Sequence, residues 1–409
     1  MISFALNRPK QLSLANWRQS PLSDWSFQHI RELLPTENIA AGKSSTSLKL
    51  KSNPSINSIQ FEGPESTLTP DNAPWTLPQL CDASNSSALL ISQQGKLVHE
   101  WYGHETIAHN PHILFSISKS IIGTLTGIFV ASGQLDVTEK VALYLPEVRQ
   151  SGFADCTIQQ LLDMTSSLDF EDFTENPSSK VTEYWASTGW NPTNNNQPSS
   201  SLHDFLLSLD CGSNSHGFRY EYQSPNTDLL GWVLERISGQ TIASLLSNLI
   251  WQPLQAEMDA YITVDKKGAA RSAGGICTLP RDLLRFGEMI LNGGRVGNTQ
   301  VVSQDWIKDC FSGGDKEPWQ NGNSSGRFPD GGYRNCWYQI GNENGALAAI
   351  GLHGQWLYLD PVANVAIVKN SAQVDPLNDC YGPIHIAAFE AICSPLMDGP
   401  LNPSDAANE

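Results

Sequence analysis

With 409 residues, 40% of them hydrophobic and twelve of them Trp, the chain is long enough for one large core or two interlocking ones, and its composition is neither disordered nor fibrous. Forty-two Asp and Glu against 25 Lys and Arg give a formal net charge of -17, which repels phosphate backbones and anionic lipid and argues against nucleic-acid or membrane partners. Met1–Lys10 lacks a basic stretch followed by an apolar run, and the longest apolar run, Ile121–Ala131, is interrupted by Gly and Thr, so neither a secretory signal nor a membrane span is expected and the protein reads as cytoplasmic.

Residues 1–75 are rich in Ser, Asn and Pro, with one helical stretch near Trp25–Leu34, and read as an N-terminal extension around the body. Ala88–Ser92 and Lys96–Tyr102, joined through Gln93-Gln94-Gly95, read as a hairpin. Ser116–Val130 reads as a buried helix, with Ile117, Ile121, Ile122 and Leu125 inward and Gly133 just past its end. Further helices are expected over Ile158–Met164, Ser201–Leu209 and Thr227–Ile237, the last closed by Ser238-Gly239. Residues 172–200, polar but holding Tyr184, Trp185 and Trp190, are too long for a simple connector and read as cover for a site. Phe218–Tyr222 alternates aromatic and charged residues like a strand edge before the helix that begins near Thr227.

After Pro280 a helix, Arg281–Leu291, leads through 312–334 into strand-like segments at Trp337–Gly341, Gln355–Leu359 and Val365–Lys369. Strands near both ends and helices between them predict an α/β (α+β) fold, an antiparallel sheet flanked by helices and carrying a helical insertion. The expected division is an extension over 1–75, a sheet domain from 76–134 and 272–395, a mainly helical insertion over 135–271 and a tail over 396–409. Eight cysteines show no Cys-x-x-Cys and no His at zinc spacing, so they read as reduced structural thiols, with no metal or cofactor expected.

The chemistry-bearing candidate is Ser116-Ile-Ser-Lys119 at the start of the apolar helix. Residues i and i+3 share a helix face, so the lysine can reach the serine hydroxyl, and a helix N-terminus favours developing negative charge there. A serine hydroxyl needs a neighbouring base, and burial is what makes a lysine one. Chance alone supplies a Ser-x-x-Lys readily, so its partners decide. Tyr222 sits at the corner before the helix near Thr227, where a phenol can relay protons, with Ser224 two residues on to bond the lysine or a substrate. Gly351-Leu352-His353-Gly354 lets a backbone approach a ligand and offers an N–H to an oxyanion. Gly322-Asn-Ser324-Ser-Gly326 matches a nucleophile elbow in letters but lacks the apolar strand before it and the helix after it. Gly42-Lys43-Ser44 likewise ends like a phosphate loop but has Glu37 where the first Gly belongs.

Phe115-Ser116-Ile-Ser-Lys119, Leu161-Leu-Asp-Met-Thr-Ser166, Phe218–Trp232 and Gly351–Gln355 before Tyr358-Leu-Asp-Pro361 occur in one order along the chain. From about Ser86 to Ile392 the sequence resembles the β-lactamase-related serine hydrolases of the class C and esterase type, and within them the 6-aminohexanoate-dimer (nylon-oligomer) hydrolases. The resemblance implies a β-lactamase/transpeptidase-like fold, Ser116 as nucleophile, Lys119 as its proton acceptor and Tyr222 as acid–base residue. It also implies an oxyanion hole from the N–H groups of Ser116 and Leu352, a mobile lid at Trp190, and substrate contacts from Phe173, Ser224, Gly351 and His353. The family's Lys-Thr-Gly is absent, with Ala349-Ile-Gly351 in its place, and Phe173 stands where amide-cleaving relatives carry a Tyr. The expected activity is hydrolysis of small esters or linear amides through a Ser116 acyl-enzyme, without cofactor, a homodimer being left open. The alternatives are a penicillin-binding or β-lactamase-like protein with slow turnover and an inactive binding scaffold of the same fold.

Overall fold

The computed structural model describes residues 8–43, 48–63, 73–103, 106–172, 180–192, 200–323, 326–377 and 381–397. Two short ribbons aside, the strands in chain order are β1 (Thr36–Ile39), β2 (Ser86–Gln93), β3 (Lys96–Tyr102), β4 (His112–Ile113), β5 (Ala260–Thr263) and β6 (Ile276–Thr278). There follow β7 (Gly332–Arg334), β8 (Trp337–Gln339), β9 (Leu347–Gly351), β10 (Gln355–Asp360) and β11 (Val365–Ser371). The helices that matter here are α1 (Ile117–Ala131), α2 (Lys180–Ser187), α3 (Pro225–Ser238), α4 (Pro280–Leu291) and α5 (Tyr381–Met397).

A seven-stranded antiparallel sheet runs β7-β8-β9-β10-β11-β2-β3, so the pairing of β11 with β2 (Ile367 opposite Ile91) joins the late strands to the early hairpin. β11 is buried along its whole length because both faces of the sheet are covered. Ala366 and Val368 share a core with Leu283 and Phe286 of α4, while Val365 and Ile367 pack on the other side with Ile384, Ala388 and Phe389 of α5. A strand covered on both faces has no solvent side, which is why Val365–Lys369 reads as a near-continuous apolar run; each such side chain contributes roughly 1.5–3 kcal/mol by burial. Helix α4 lies close on the sheet at Gly287, where a Cβ would stand 2.9 Å from Leu357 and Leu359.

The second sheet, β1-β5-β6-β4, ties the early chain to the body. The segment before residue 76 thus supplies a strand as well as a buried aromatic, Trp17. Helix α1 is buried on nearly every side, as an element apolar all round must be. It is packed against α3 and the sheet's β9, and Ser116 at its start lines a cavity.

The structure departs from the sequence-based expectations in places. The cover stretch contains a regular helix, α2, whose Tyr184 is fully buried. Phe218–Tyr222 is no strand: the Tyr220 N–H donates to the Pro318 carbonyl (2.7 Å) in a short helix, Lys316–Gln320, and that of Glu221 to Met164 (2.8 Å) in a turn, so its backbone pairs with no ladder. The residues before Gly351, where the sequence pattern predicts no strand, form β9, paired with β10 from Leu347–Leu359 to Gly351–Gln355. All seven described cysteines are free thiols. Among the described residues no helix is long and apolar enough to cross a membrane.

Candidate active site

Ser116 caps α1, and the residue before it, Phe115, has φ +46°. A non-glycine residue in that region costs of order 1–3 kcal/mol and persists only where its surroundings overdetermine it. Here they do: the Phe115 ring stacks on Trp17 at 6.3 Å and meets Phe27 and Trp190 edge-on at 5.0 and 5.9 Å. The turn holds Ser116, half-buried, at the wall of a cavity of about 430 Å³.

One helical turn on, Lys119 is fully enclosed, with Nζ 2.9 Å from Ser116 Oγ and 2.8 Å from the Ala273 carbonyl, to which it donates. Burial lowers its pKa to about 8; the Asp172 carboxylate opposes the shift and the Arg271 charge adds to it. The Ala273 carbonyl is itself held in place. Its N–H donates to Asp228 Oδ1 (2.8 Å), and Asp228 is ion-paired to buried Arg271 and accepts from the Tyr184 hydroxyl (2.5 Å). Helices α2 and α3 thereby fix the lysine through one carbonyl.

The Tyr222 hydroxyl hydrogen-bonds Ser116, and Lys119 Nζ lies 4.8 Å from its ring centre. Burial raises the phenol's pKa well above its ordinary value, so it stays protonated and can give a proton. Tyr220 is turned away: it is buried, its hydroxyl donates to that of Tyr338 (3.1 Å), and it does not line the cavity. Of these two tyrosines, two residues apart, Tyr222 is the one that meets Ser116 and lines the cavity.

Gly351 and Leu352 line the same cavity as Ser116 and Tyr222. Gly351 is needed where β9 meets the α1 turn, because a Cβ there would stand 2.4 Å from the Leu114 carbonyl. Other expected contacts lie elsewhere. Ser224 caps α3 with its backbone N–H on Asp172 Oδ2 (2.7 Å) and its side chain bonded to the same carboxylate, and it does not reach the cavity wall. His353 is buried at φ +59°, with Nδ1 2.8 Å from the Gln373 carbonyl; burial lowers its pKa to about 4, so it is neutral, and it faces a neighbouring cavity. Trp190, expected as a lid, is 3% exposed; its Nε1 donates to Thr263 Oγ1 (3.1 Å) and its carbonyl accepts from Trp17 Nε1 (3.0 Å), so it forms the floor beneath Phe115. Phe173 and Ser324 lie outside the described residues.

Sequence reasoning missed Asp172, Asp228, Arg271 and the Ala273 carbonyl. No local pattern marks them, since each acts through residues tens of positions away. It also missed the polar lining of the cavity, to which Glu171, Arg219, Glu221, Arg327 and His385 contribute besides the apolar Ile350 and Leu352.

The sequence model of the beta-lactamase family matches residues 82–389. The chain is 33% identical over 364 residues to a 6-aminohexanoate-dimer hydrolase of Paenarthrobacter ureafaciens, covering 89% of each protein. Among solved structures it is similar to a Bacillus anthracis protein assigned as a 6-aminohexanoate-dimer hydrolase, with TM-score 0.85 at 22% identity over 95% of this chain and 98% of that one. It is also similar to EstCE1, a hydrolase with promiscuous acyltransferase activity, with TM-score 0.61 at 15% identity over 77% and 96% of the two chains. At those identities the two structures speak for the fold alone.

Proposed function

The chain belongs to the beta-lactamase family of serine hydrolases, and from that premise we propose that it cleaves small carboxylic esters, and linear amides more slowly, through an acyl-enzyme on Ser116. The observation that carries this reading is the contact of Ser116 with both Lys119 and Tyr222 at the wall of one cavity. With Lys119 neutral, the Ser116 proton passes to Nζ as Oγ bonds the carbonyl carbon, and the carbonyl electrons move onto oxygen. The N–H groups of Ser116 and Leu352 are the donors we assign to that oxyanion. Collapse breaks the bond to the leaving group, which takes the Tyr222 proton, and Lys119 returns its proton to the phenolate. Water then repeats the sequence on the acyl-enzyme, releasing the acid and restoring Ser116.

The preference for esters rests on two features. Strand β9, Leu-Ala-Ala-Ile-Gly, offers no cation to a β-lactam carboxylate, and losing one charge-assisted hydrogen bond forfeits about 1.5–3 kcal/mol. The sequence has Phe at 173, with no hydroxyl for an amine leaving group, and amines need protonation more than alkoxides do. The test is the specificity constant for 4-nitrophenyl butyrate, a linear aminohexanoate amide and nitrocefin. The expected order is that order; equal values for nitrocefin and the butyrate contradict it.

A further inference from the structure

Beyond Leu352 lies a second cavity, of about 510 Å³, which shares Leu352, Pro376 and Leu377 with the catalytic one. Two of its walls differ sharply in chemistry. One is apolar and open to solvent: Val374 and Leu377 are 67% and 44% exposed, large side chains with no apolar cover. The other is cationic. The Arg18 guanidinium carbon lies over Trp185, 3.6 Å from the ring centre, with the Trp17 ring 5.2 Å away on the same N-terminal segment. Its Nη2 donates to Asn191 Oδ1 (2.7 Å), while Nη1 is buried without a hydrogen-bond acceptor, and among the described residues no carboxylate pairs with it.

A guanidinium with a buried, unpaired nitrogen and no counter-ion is costly, and a planar fork already held over an aromatic ring loses little freedom on meeting a carboxylate. We propose that this cavity is a subsite of the same active site, which takes an apolar substrate tail along Leu352, Pro376 and Leu377 and pairs the carboxylate at its end with Arg18. The inference rests on the hydrolase reading above and narrows its substrates to esters or amides with a carboxylate-ended chain on the acyl or the alcohol half. It also gives the early segment a role, since Arg18 and Trp17 both come from it.

The test compares matched substrates. On the acyl side these are mono-4-nitrophenyl esters of glutaric, adipic and suberic acids against 4-nitrophenyl pentanoate, hexanoate and octanoate. On the alcohol side they are 6-(butyryloxy)hexanoate against hexyl butyrate. The wild-type protein is expected to favour the carboxylate-tailed member on one side by roughly ten-fold or more in kcat/KM, the usual weight of a charge-assisted bond. Arg18→Gln should abolish that ratio and Arg18→Lys keep part of it. Val374→Asp, at a position exposed enough to spare the fold, should lower the same ratio by placing a charge like the substrate's in the lining of the same cavity. Turnover with no preference on either side, or a preference that survives Arg18→Gln and Val374→Asp, overturns the subsite alone. Failure to turn over any of these esters sinks the hydrolase reading and the subsite with it.

Discussion

The first turn of α1 and the end of β11 each bury a lysine against a serine. Lys119 Nζ touches Ser116 Oγ; Lys369 Nζ donates to Ser371 Oγ and lies 3.4 Å from the Gly354 carbonyl. Both lysines are about 1% exposed, and burial lowers their pKa values to about 8 and about 7. By burial alone Lys369 holds the larger neutral fraction near pH 7, free to take a proton. Yet Ser371 is wholly buried, its backbone is gripped by Gln355, and it is not in the lining of the cavity that Ser116 faces beside Tyr222 and Leu352. A depressed lysine pKa marks burial; access for a carbonyl and a proton donor on its far side mark a catalyst.

The comparison breaks first at the serines. Ser116→Ala should lower ester kcat/KM by about 10⁴-fold or more with the melting temperature nearly unchanged, because the nucleophile is lost and nothing is unpacked. Ser371→Ala should stay within about two-fold of wild type, since a serine no substrate reaches adds nothing to the rate. An inactive Ser371→Ala that still folds would reverse the assignment.

At the lysines, Lys119→Met and Lys119→Arg should each cost about 10³-fold, because a guanidinium stays protonated and cannot take the Ser116 proton. In wild type kcat/KM should rise with pH through about 8 as Lys119 loses its proton. Lys369→Met should keep both the rate and that pH profile; a profile that moves with Lys369 instead would contradict the comparison. At the tyrosines, Tyr222→Phe should cost about 10²-fold or more and harm amides more than esters, while Tyr220→Phe, buried behind Tyr338, should cost less than about three-fold.

The smallest effect is on stability. The folded pKa of Lys369, about 7, lies below its ordinary 10.5, so the unfolded chain binds more protons between those values. Its contribution to stability is therefore full above the unfolded value and is lost as pH falls toward 7. Lys119 adds a component of the same sign starting near 8. Denaturant titrations at pH 7 and pH 9 should show wild type gaining stability with pH and Lys369→Met gaining less. An unchanged slope in the mutant would show that Lys369 is charged in the fold.

The Ser116–Lys119 pair was legible because a helix brings i and i+3 together, and the early hairpin and α4 were legible from period and turn residues. Tyr222 could be named from its place before the helix, but which of Tyr220 and Tyr222 meets Ser116 depends on backbone contacts with the turn at Met164 and the short helix at Pro318, far away in sequence. The positioning chain from Arg271 through Asp228 to Ala273 leaves no local pattern, because its members act across distant parts of the sequence. The packing of Trp190 on Trp17, over 170 positions earlier, leaves no local pattern either: an aromatic in a polar stretch reads only as part of a cover.

The most direct measurement is to react the protein with a fluorophosphonate and with 4-nitrophenyl butyrate quenched in steady state, and to locate the adduct by peptide mass spectrometry. One adduct per chain on the peptide holding Ser116, absent from Ser116→Ala and retained in Ser371→Ala, is the result expected. Labelling at any other residue, or full ester turnover by an unlabelled Ser116→Ala protein, would contradict it.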